Sequence, residues 1–324
     1  MNSAALSEWN HMVTQPDIAV VGVHVLDTHI VGVASIPQGS DGQLVETIKV
    51  SAAGTAGGTA VVLSRLGARV RSYGAIGADP LGDVLLSLLG SSGVDVGGLV
   101  RIQGSQTSAS VIPVRPNGDR PAWHCVGANA AFSLDAVDLD ELADVTHVHL
   151  GGPEFLGGTA AATLLRHAKG NGCSTSIDIL AAGDPGLLAW IAEAFPYTDY
   201  LLPNDEQVLG FTGAADLETG ARKLLSAGVG CVAVTRGREG ALVVTADEAV
   251  AVPAYAVDVV DTTGCGDAFS AGFILGRAFG RDFAESARLG CAVAAHVAGG
   301  LGTDAGVYDL AVVDDFAAQN QGPG

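Results

Sequence analysis

The chain has 324 residues, 48% of them hydrophobic and 45 of them glycine, which is enough for one large domain with a well-buried core. Lys and Arg number 16 against 35 Asp and Glu, and the net charge of −19 repels phosphate backbones and anionic lipid, excluding nucleic acid and membrane surfaces as partners. The five cysteines lie far apart with no Cys-x-x-Cys pair, residues 1–16 hold no apolar core of a leader, and no run approaches the roughly 18 apolar residues of a membrane span, so the expectation is a cytoplasmic chain.

From Ile18 onward short β-branched runs alternate with helix-length amphipathic segments. "IAVVG" reads as a strand, "TAVVLSRLG" as a helix, "VRSYGAIG" as a strand and "PLGDVLLSLLG" as a helix. Asp79 before Pro80 predicts an N-cap with proline at the first helical position, and Gly67 and Gly90 stand where helices would stop. Further strands are expected at "VTHVHLG", "STSIDIL", "DYLLPN", "CVAVTRG" and "VDVVD". Helices are expected at 160–169, 185–195, 217–227, 268–279 and 283–298. This rhythm predicts an α/β fold: a doubly wound, mostly parallel sheet flanked by helices. Two segments break it. Residues 31–50 are glycine-rich with few apolar positions, and "SASVIPVRPNGDRPAWHCV" reads as strand, Pro-Asn-Gly turn, strand, so both are expected to form a small β-rich lid across the carboxyl ends of the sheet. The domain is expected to span 17–314, with lid segments at 29–50 and 105–127 and a loose tail at 315–324.

The chemistry concentrates in "VVDTTGCGDAFSAGF", 259–273. "VDVVD" as a buried strand and "AFSAGFILGRAF" as a helix leave "TTGCG" as the turn between them. Gly264 and Gly266 let backbone approach a ligand, and the helix start offers unpaired amides with partial positive charge, which together make an anion hole. Asp267 in the first helical turn then places a proton acceptor beside a site built for negative charge. Phosphoryl transfer needs that pairing, with amides on the phosphoryl oxygens and a carboxylate on the attacking hydroxyl. The alternative is that Thr262, Thr263 and Asp267 only cap the helix.

The stretch "DTTGCGDAFSAGF" resembles the C-terminal signature of the ribokinase-like PfkB carbohydrate kinase family. "VVGVHVLD", "GGTAVVLSRLGARVRSYGAIGADPLGD", "GAN" at 127–129, "LLPNDEQ" and "VTRGREGAL" resemble further family elements, over about 18–307. The resemblance implies a ribokinase-like fold and transfer of the γ-phosphoryl of ATP to a hydroxymethyl group of a sugar. It implies Asp267 as catalytic base and the amides of Gly264, Cys265, Gly266 and Asp267 as the anion hole. Asp27, Gly54, Gly58 and Asn129 would bind the sugar, and Asn204, Thr235, Gly237 and Gly240 the nucleotide. The cofactors it implies are ATP and Mg2+, with K+ near Asp261 and the Gly302 loop, and members often pair through their lids as homodimers.

The chain departs from the pattern at three places. Gln207 stands where many members carry Glu, leaving any Mg2+ role there indirect. Ala53, Gly54 and Gly58 occupy a Gly-Gly-x-x-x-Asn pattern, so a usual sugar-binding Asn is missing. Cys265 replaces a small residue inside the anion hole and either fills space or is a low-pKa thiol at the helix start. His147 and His149 share a strand face without a third metal ligand and are expected to be structural or substrate-lining, while His124 lies within the lid. The only lysines are Lys49, Lys169 and Lys223, none after a glycine, and no Gly-x-Gly-x-x-Gly follows the first strand, which excludes a P-loop and a dinucleotide site. Two other functions stand beside a sugar kinase: a nucleoside kinase for adenosine, inosine or uridine on the same fold, and a catalytically silent sugar-binding protein.

Overall fold

A computed structural model describes residues 15–115 and 120–320. The first strand, β1 (Asp17–Gly22), explains the architecture. Its six residues are all buried, with Ile18 and Val20 packed into one hydrophobic cluster and Ala19 and Val21 into another. A strand with apolar side chains on both faces must lie inside a sheet covered on both sides. The remaining strands are β2 (Val25–Val31), β3 (Thr47–Ala53), β4 (Arg69–Gly77), β5 (Asp95–Ile102), β6 (Ala109–Val114), β7 (Trp123–Cys125), β8 (His147–Gly151), β9 (Ser174–Asp178), β10 (Tyr200–Leu201), β11 (Cys231–Thr235), β12 (Ala241–Val244) and β13 (Ala249–Val252). Nine of the thirteen form one sheet in the order β13-β12-β11-β10-β9-β8-β1-β4-β5, parallel from β11 to β5 and antiparallel at the β12–β13 edge. Helices Gly57–Arg65, Pro80–Ser91, Cys265–Ala278 and Phe283–Ala298 cover one face. Helices Gly158–Gly170, Asp205–Thr212 and Leu217–Ser226 cover the other. The fold is therefore a doubly wound, mostly parallel α/β sheet, as expected, with its strand order reversing beside β1, where such folds open a crevice.

The other four strands form the lid sheet, ordered β3-β2-β6-β7. Its register puts Ser51, Asp27, Ser110 and His124 in one row, and Val50, Thr28, Val111 and Trp123 in the next. Because alternate residues face opposite ways, the two rows lie on opposite faces. Val50, Val111 and Trp123 are exposed, whereas Ser51, Asp27 and Ser110 are buried. Lid pairing thus begins at Val25 and ends at Ala53, outside the expected 29–50, and much of that segment is the connection between β2 and β3. The Pro-Asn-Gly turn expected between β6 and β7 lies outside the described residues.

Local signals hold at many boundaries. Asp79 caps Pro80–Ser91 by accepting from Gly82 N, although the helix runs through Gly90 and its chain reversal falls at Gly93. The helix Leu310–Gln319 crosses the expected end of the domain at 314, because Val313 is buried and the Phe316 ring packs on His296 and Tyr255. "VDVVD" is not a strand. Val260 and Asp261 donate their amides to Ala298 O at the end of a helix, and Val259 and Val260 are exposed. An apolar run of five cannot distinguish a strand from an extended connection. Among the described residues no helix is long and apolar enough to cross a membrane.

Candidate active site

The helix Cys265–Ala278 begins at Gly264, whose φ of 78° is a left-handed conformation that a side chain would oppose. A Cβ there would also lie 2.3 Å from Thr303 Oγ1. No side chain caps this helix, so the amides of its first turn have no side-chain acceptor. The capping alternative for Thr262, Thr263 and Asp267 is therefore not what the structure holds: the Thr263 hydroxyl instead donates to Asp261 Oδ1 at 2.8 Å. Asp267 is half-buried in the first turn of this helix and faces the cleft described below. Burial, then the negative charges of Asp178 and Asp27, raises its carboxyl well above the ordinary carboxylate range. Gly58 on the neighbouring helix leaves room for it, since a Cβ at 58 would sit 2.3 Å from Asp267 Oδ2.

Two further carboxylates, Asp178 and Asp27, act on Asp267, and a third, Glu154, acts on Asp178. Asp27, on the buried row of the lid, is lifted to about 6 by burial, opposed by a hydrogen bond from Ser110, and its Oδ1 has no protein partner. Asp178 ends β9, is lifted to about 7 by burial, and accepts from Ser270 Oγ at 2.9 Å. Burial also raises Glu154, whose Oε1 accepts from Leu180 N and Ala181 N while Oε2 is unpartnered.

A cleft of about 800 Å³ runs from Asp267 along the sheet's carboxyl edge. Its walls bring together Asn204, Gln207, Thr235, Gly237, Gly240, Gly264, Cys265, Gly266 and Asp267, with Thr55 and Asp178 at one end and Tyr255, Ala256 and Val257 along a side. Asp27, Gly54, Gly58, Asn129 and Asp261 lie outside this lining. Asp27 and Gly58 adjoin it through Asp267. Asn129 spends both ends of its amide on the backbone of His24, accepting from N at 3.3 Å and donating to O at 2.9 Å, which fixes the turn between β1 and β2. Gly54 likewise adopts a φ of 90° against Val23 O.

Asn204 caps the helix Asp205–Thr212, accepting from Gln207 N, while Gln207 Oε1 accepts from Asn204 N in return. Gln207 Nε2 donates to Ile179 O and Ala181 O. This capping box engages the whole Gln207 side chain, so the residue braces the cleft wall. Among the described residues no cluster of His, Cys, Asp or Glu could hold a metal by itself. Magnesium fits this cleft only as nucleotide phosphates carry it, with Asp178 and Asp205 the carboxylates on the walls besides Asp267.

The Cys265 thiol is pushed up to about 12, by burial and then by Asp261, and lies 3.6 Å from Ala294 O, so it is a space-filling thiol rather than a reactive one. His147 and His149 are buried and bonded to Ser174, Ser176 and Thr55 O; burial lowers them to about 3 and about 4, which makes them neutral structural groups.

Protein donors already enclose Asp261. Its Oδ1 accepts from Arg120 Nη1 at 2.9 Å, Thr263 N at 2.9 Å and Thr263 Oγ1. Its Oδ2 accepts from Gly302 N at 3.0 Å. Burial pushes this carboxyl up, but bonds from Thr263, Gly302 and Arg120 outweigh it and hold the carboxyl below its ordinary value. Arg120, Asp178 and Thr303 escape a reading of the sequence because they come from elements adjacent only in space. Asp178 alone carried a signal, as a carboxylate closing a buried parallel strand.

A cleft along the carboxyl ends of β9, β10 and β11, with helix amides that no side chain caps and a half-buried carboxyl on its wall, fits a phosphotransferase on an α/β sheet. The family model for pfkB family carbohydrate kinases matches residues 15–309. The chain belongs to this family, and its class is that of ATP-dependent sugar kinases. It is 30% identical over 239 residues to an uncharacterized sugar kinase of Archaeoglobus fulgidus, covering 72% of this chain and 92% of that protein. It is 25% identical over 312 residues to a nucleoside kinase of Methanothermobacter thermautotrophicus, covering 94% and 96%. The structure of Arabidopsis thaliana ribokinase complexed with ribose and ATP superposes with a TM-score of 0.81 at 22% identity, covering 94% of this chain and 99% of that one.

Proposed function

We propose that the enzyme moves the γ-phosphoryl group of ATP to a hydroxymethyl group of a sugar or sugar-like acceptor, with Asp267 as general base and the Gly264–Asp267 amides as anion hole. The observation that carries this reading is the meeting of Asp267, half-buried and with its carboxyl raised, with a helix start that no side chain caps, on one wall of the cleft. The nucleotide lies along the wall of Asn204, Thr235, Gly237 and Gly240. Asp178 and Asp205 are the wall carboxylates that would help hold an accompanying Mg2+, which would supply positive charge to the phosphate oxygens. The acceptor lies on the lid side, where the unpartnered Oδ1 of Asp27 and Oγ1 of Thr55 receive its hydroxyls. A buried oxygen without a partner costs free energy until a ligand satisfies it, which supports a polyol at this position. Asp267 takes the proton of the attacking hydroxyl as the amides receive the charge that develops on the phosphoryl oxygens. The lid, 25–53 and 109–125, excludes water on closing, and its exposed apolar row is the face on which two copies would pair.

An assay of ATP consumption against a panel of pentoses, hexoses, their phosphates and nucleosides tests the reading. Turnover with a sugar and little with adenosine, inosine or uridine supports it; the reverse transfers the site to nucleosides. No turnover with any acceptor, despite nucleotide binding, leaves the catalytically silent sugar-binding protein.

A further inference from the structure

Three cations meet the loops around Asp261: Arg65, on the helix Gly57–Arg65, donates to Ala305 O and Gly306 O, and the other two come from the lid. Arg120, which precedes β7, donates to Asp261 Oδ1, to Thr263 Oγ1 at 2.9 Å and to Thr262 Oγ1. Lys49, on β3, donates to Leu301 O at 2.6 Å and pairs with Asp304 at 2.6 Å. A third lid residue, the buried His29, places Nδ1 3.6 Å from Asp261 Oδ2, too far for a hydrogen bond, and burial lowers its basicity so that it brings no charge. The Asp261 side chain has no solvent exposure, whereas Arg120 is 29% exposed. A carboxylate so enclosed needs a charged partner, and the guanidinium supplies it from an element that opens to water.

We propose that Arg120 takes the place of an alkali cation at Asp261, so that closing the lid fixes the anion-hole turn and the enzyme needs no potassium. Oδ1 already accepts three hydrogen bonds, and a metal cation there would face the guanidinium at short range. One residue then performs two tasks. It balances the buried charge, and it holds the hydroxyls of Thr262 and Thr263, the two residues that lead into Gly264. Lid opening withdraws the guanidinium and frees both threonines, so the amides are aligned only when the acceptor side is shut. Arg120 is a positioning residue in this scheme, and the scheme rests on the reading of the Gly264–Asp267 turn as the phosphoryl site.

The test compares the wild-type enzyme, Arg120→Lys and Arg120→Met in potassium chloride and in tetramethylammonium chloride at matched ionic strength, by melting temperature and by steady-state kinetics. Wild type is expected to melt and turn over identically in the two salts. Arg120→Met should lose about tenfold or more in kcat with little change in KM for ATP, as expected when alignment of the reacting groups is loosened. It should also melt higher in potassium than in tetramethylammonium, because Asp261 Oδ1 is open to a cation. Arg120→Lys should recover part of the rate and lose the salt response. A wild-type enzyme that requires potassium for turnover, or gains melting temperature from it, overturns the proposal, as does an Arg120→Met enzyme with native kcat. Failure of the kinase reading shows up differently, as no ATP consumption in either salt, and leaves the melting comparison readable.

Discussion

Replacing Gly58 by alanine isolates the geometry on which turnover depends. An added Cβ would lie 2.3 Å from Asp267 Oδ2, 2.8 Å from its Cγ and 2.9 Å from Thr303 Cγ2, where ordinary contact begins at 3.4 Å. The carboxylate must therefore withdraw by about 1.1 Å, or the helix Gly57–Arg65 must shift as a body. A displacement of about 1 Å in a reacting group costs roughly 10²-fold in rate. The stability terms oppose one another: crowding costs about 1–3 kcal/mol, and exchanging glycine for alanine inside a helix returns about 0.5–1 kcal/mol. The variant should thus fold within about 2 kcal/mol of wild type while kcat falls about 10²-fold and KM for ATP barely moves. Steady-state kinetics with a melting curve reads all three. A Gly58→Ala enzyme with native kcat would mean that the position of Asp267 is not critical, and the assignment of Gly58 as its seat would fail.

Asp178 and Cys265 give two further expectations. Because burial lifts Asp178 to about 7, the folded state holds this proton more tightly than the unfolded chain; stability is greatest below the ordinary carboxylate range and declines as pH rises through about 7. Asp178→Asn should raise the melting temperature above about pH 7 and leave it nearly unchanged in acid. The same change removes a charge that raises Asp267, so the acid limb of kcat/KM should move to lower pH; an unmoved limb would contradict the coupling. At neutral pH, iodoacetamide should label the exposed Cys125 well before Cys265, whose thiol is pushed up to about 12, and complete modification of Cys265 should slow turnover. Peptide mapping during inactivation checks both, and early labelling of Cys265 would show an activated thiol.

Much of the fold was legible because buried parallel strands and amphipathic helices have distinct periods. β1, β4, β8, β9 and β11 coincide with β-branched runs, and the cap at Asp79 with its Asp-Pro pair. "VDVVD" misled because apolar content alone does not separate a strand from an extended connection, and its amides bond to a helix end instead. The anion-binding turn was legible because its glycines and Asp267 are adjacent in the chain. Of its neighbours, Asp27 and Gly58 were legible only through the family resemblance, and Asp178 and Arg120 were not: they converge from a strand end and a loop, and pairing across such distances leaves no local period. Asn204 and Gln207 show another limit, since their spacing fits a metal-linked motif and a capping box equally, and only the hydrogen bonds of Gln207 to Ile179 O and Ala181 O separate the two.

The central claim is that Asp267 accepts the acceptor's proton beside a set of helix amides. Its most direct test is Asp267→Asn, in which calorimetric titration with ATP is read alongside kcat for the best acceptor. Native nucleotide affinity and an unchanged fold with kcat lowered by about 10² or more is the predicted result. Turnover close to wild type would place the proton acceptor elsewhere and contradict the account.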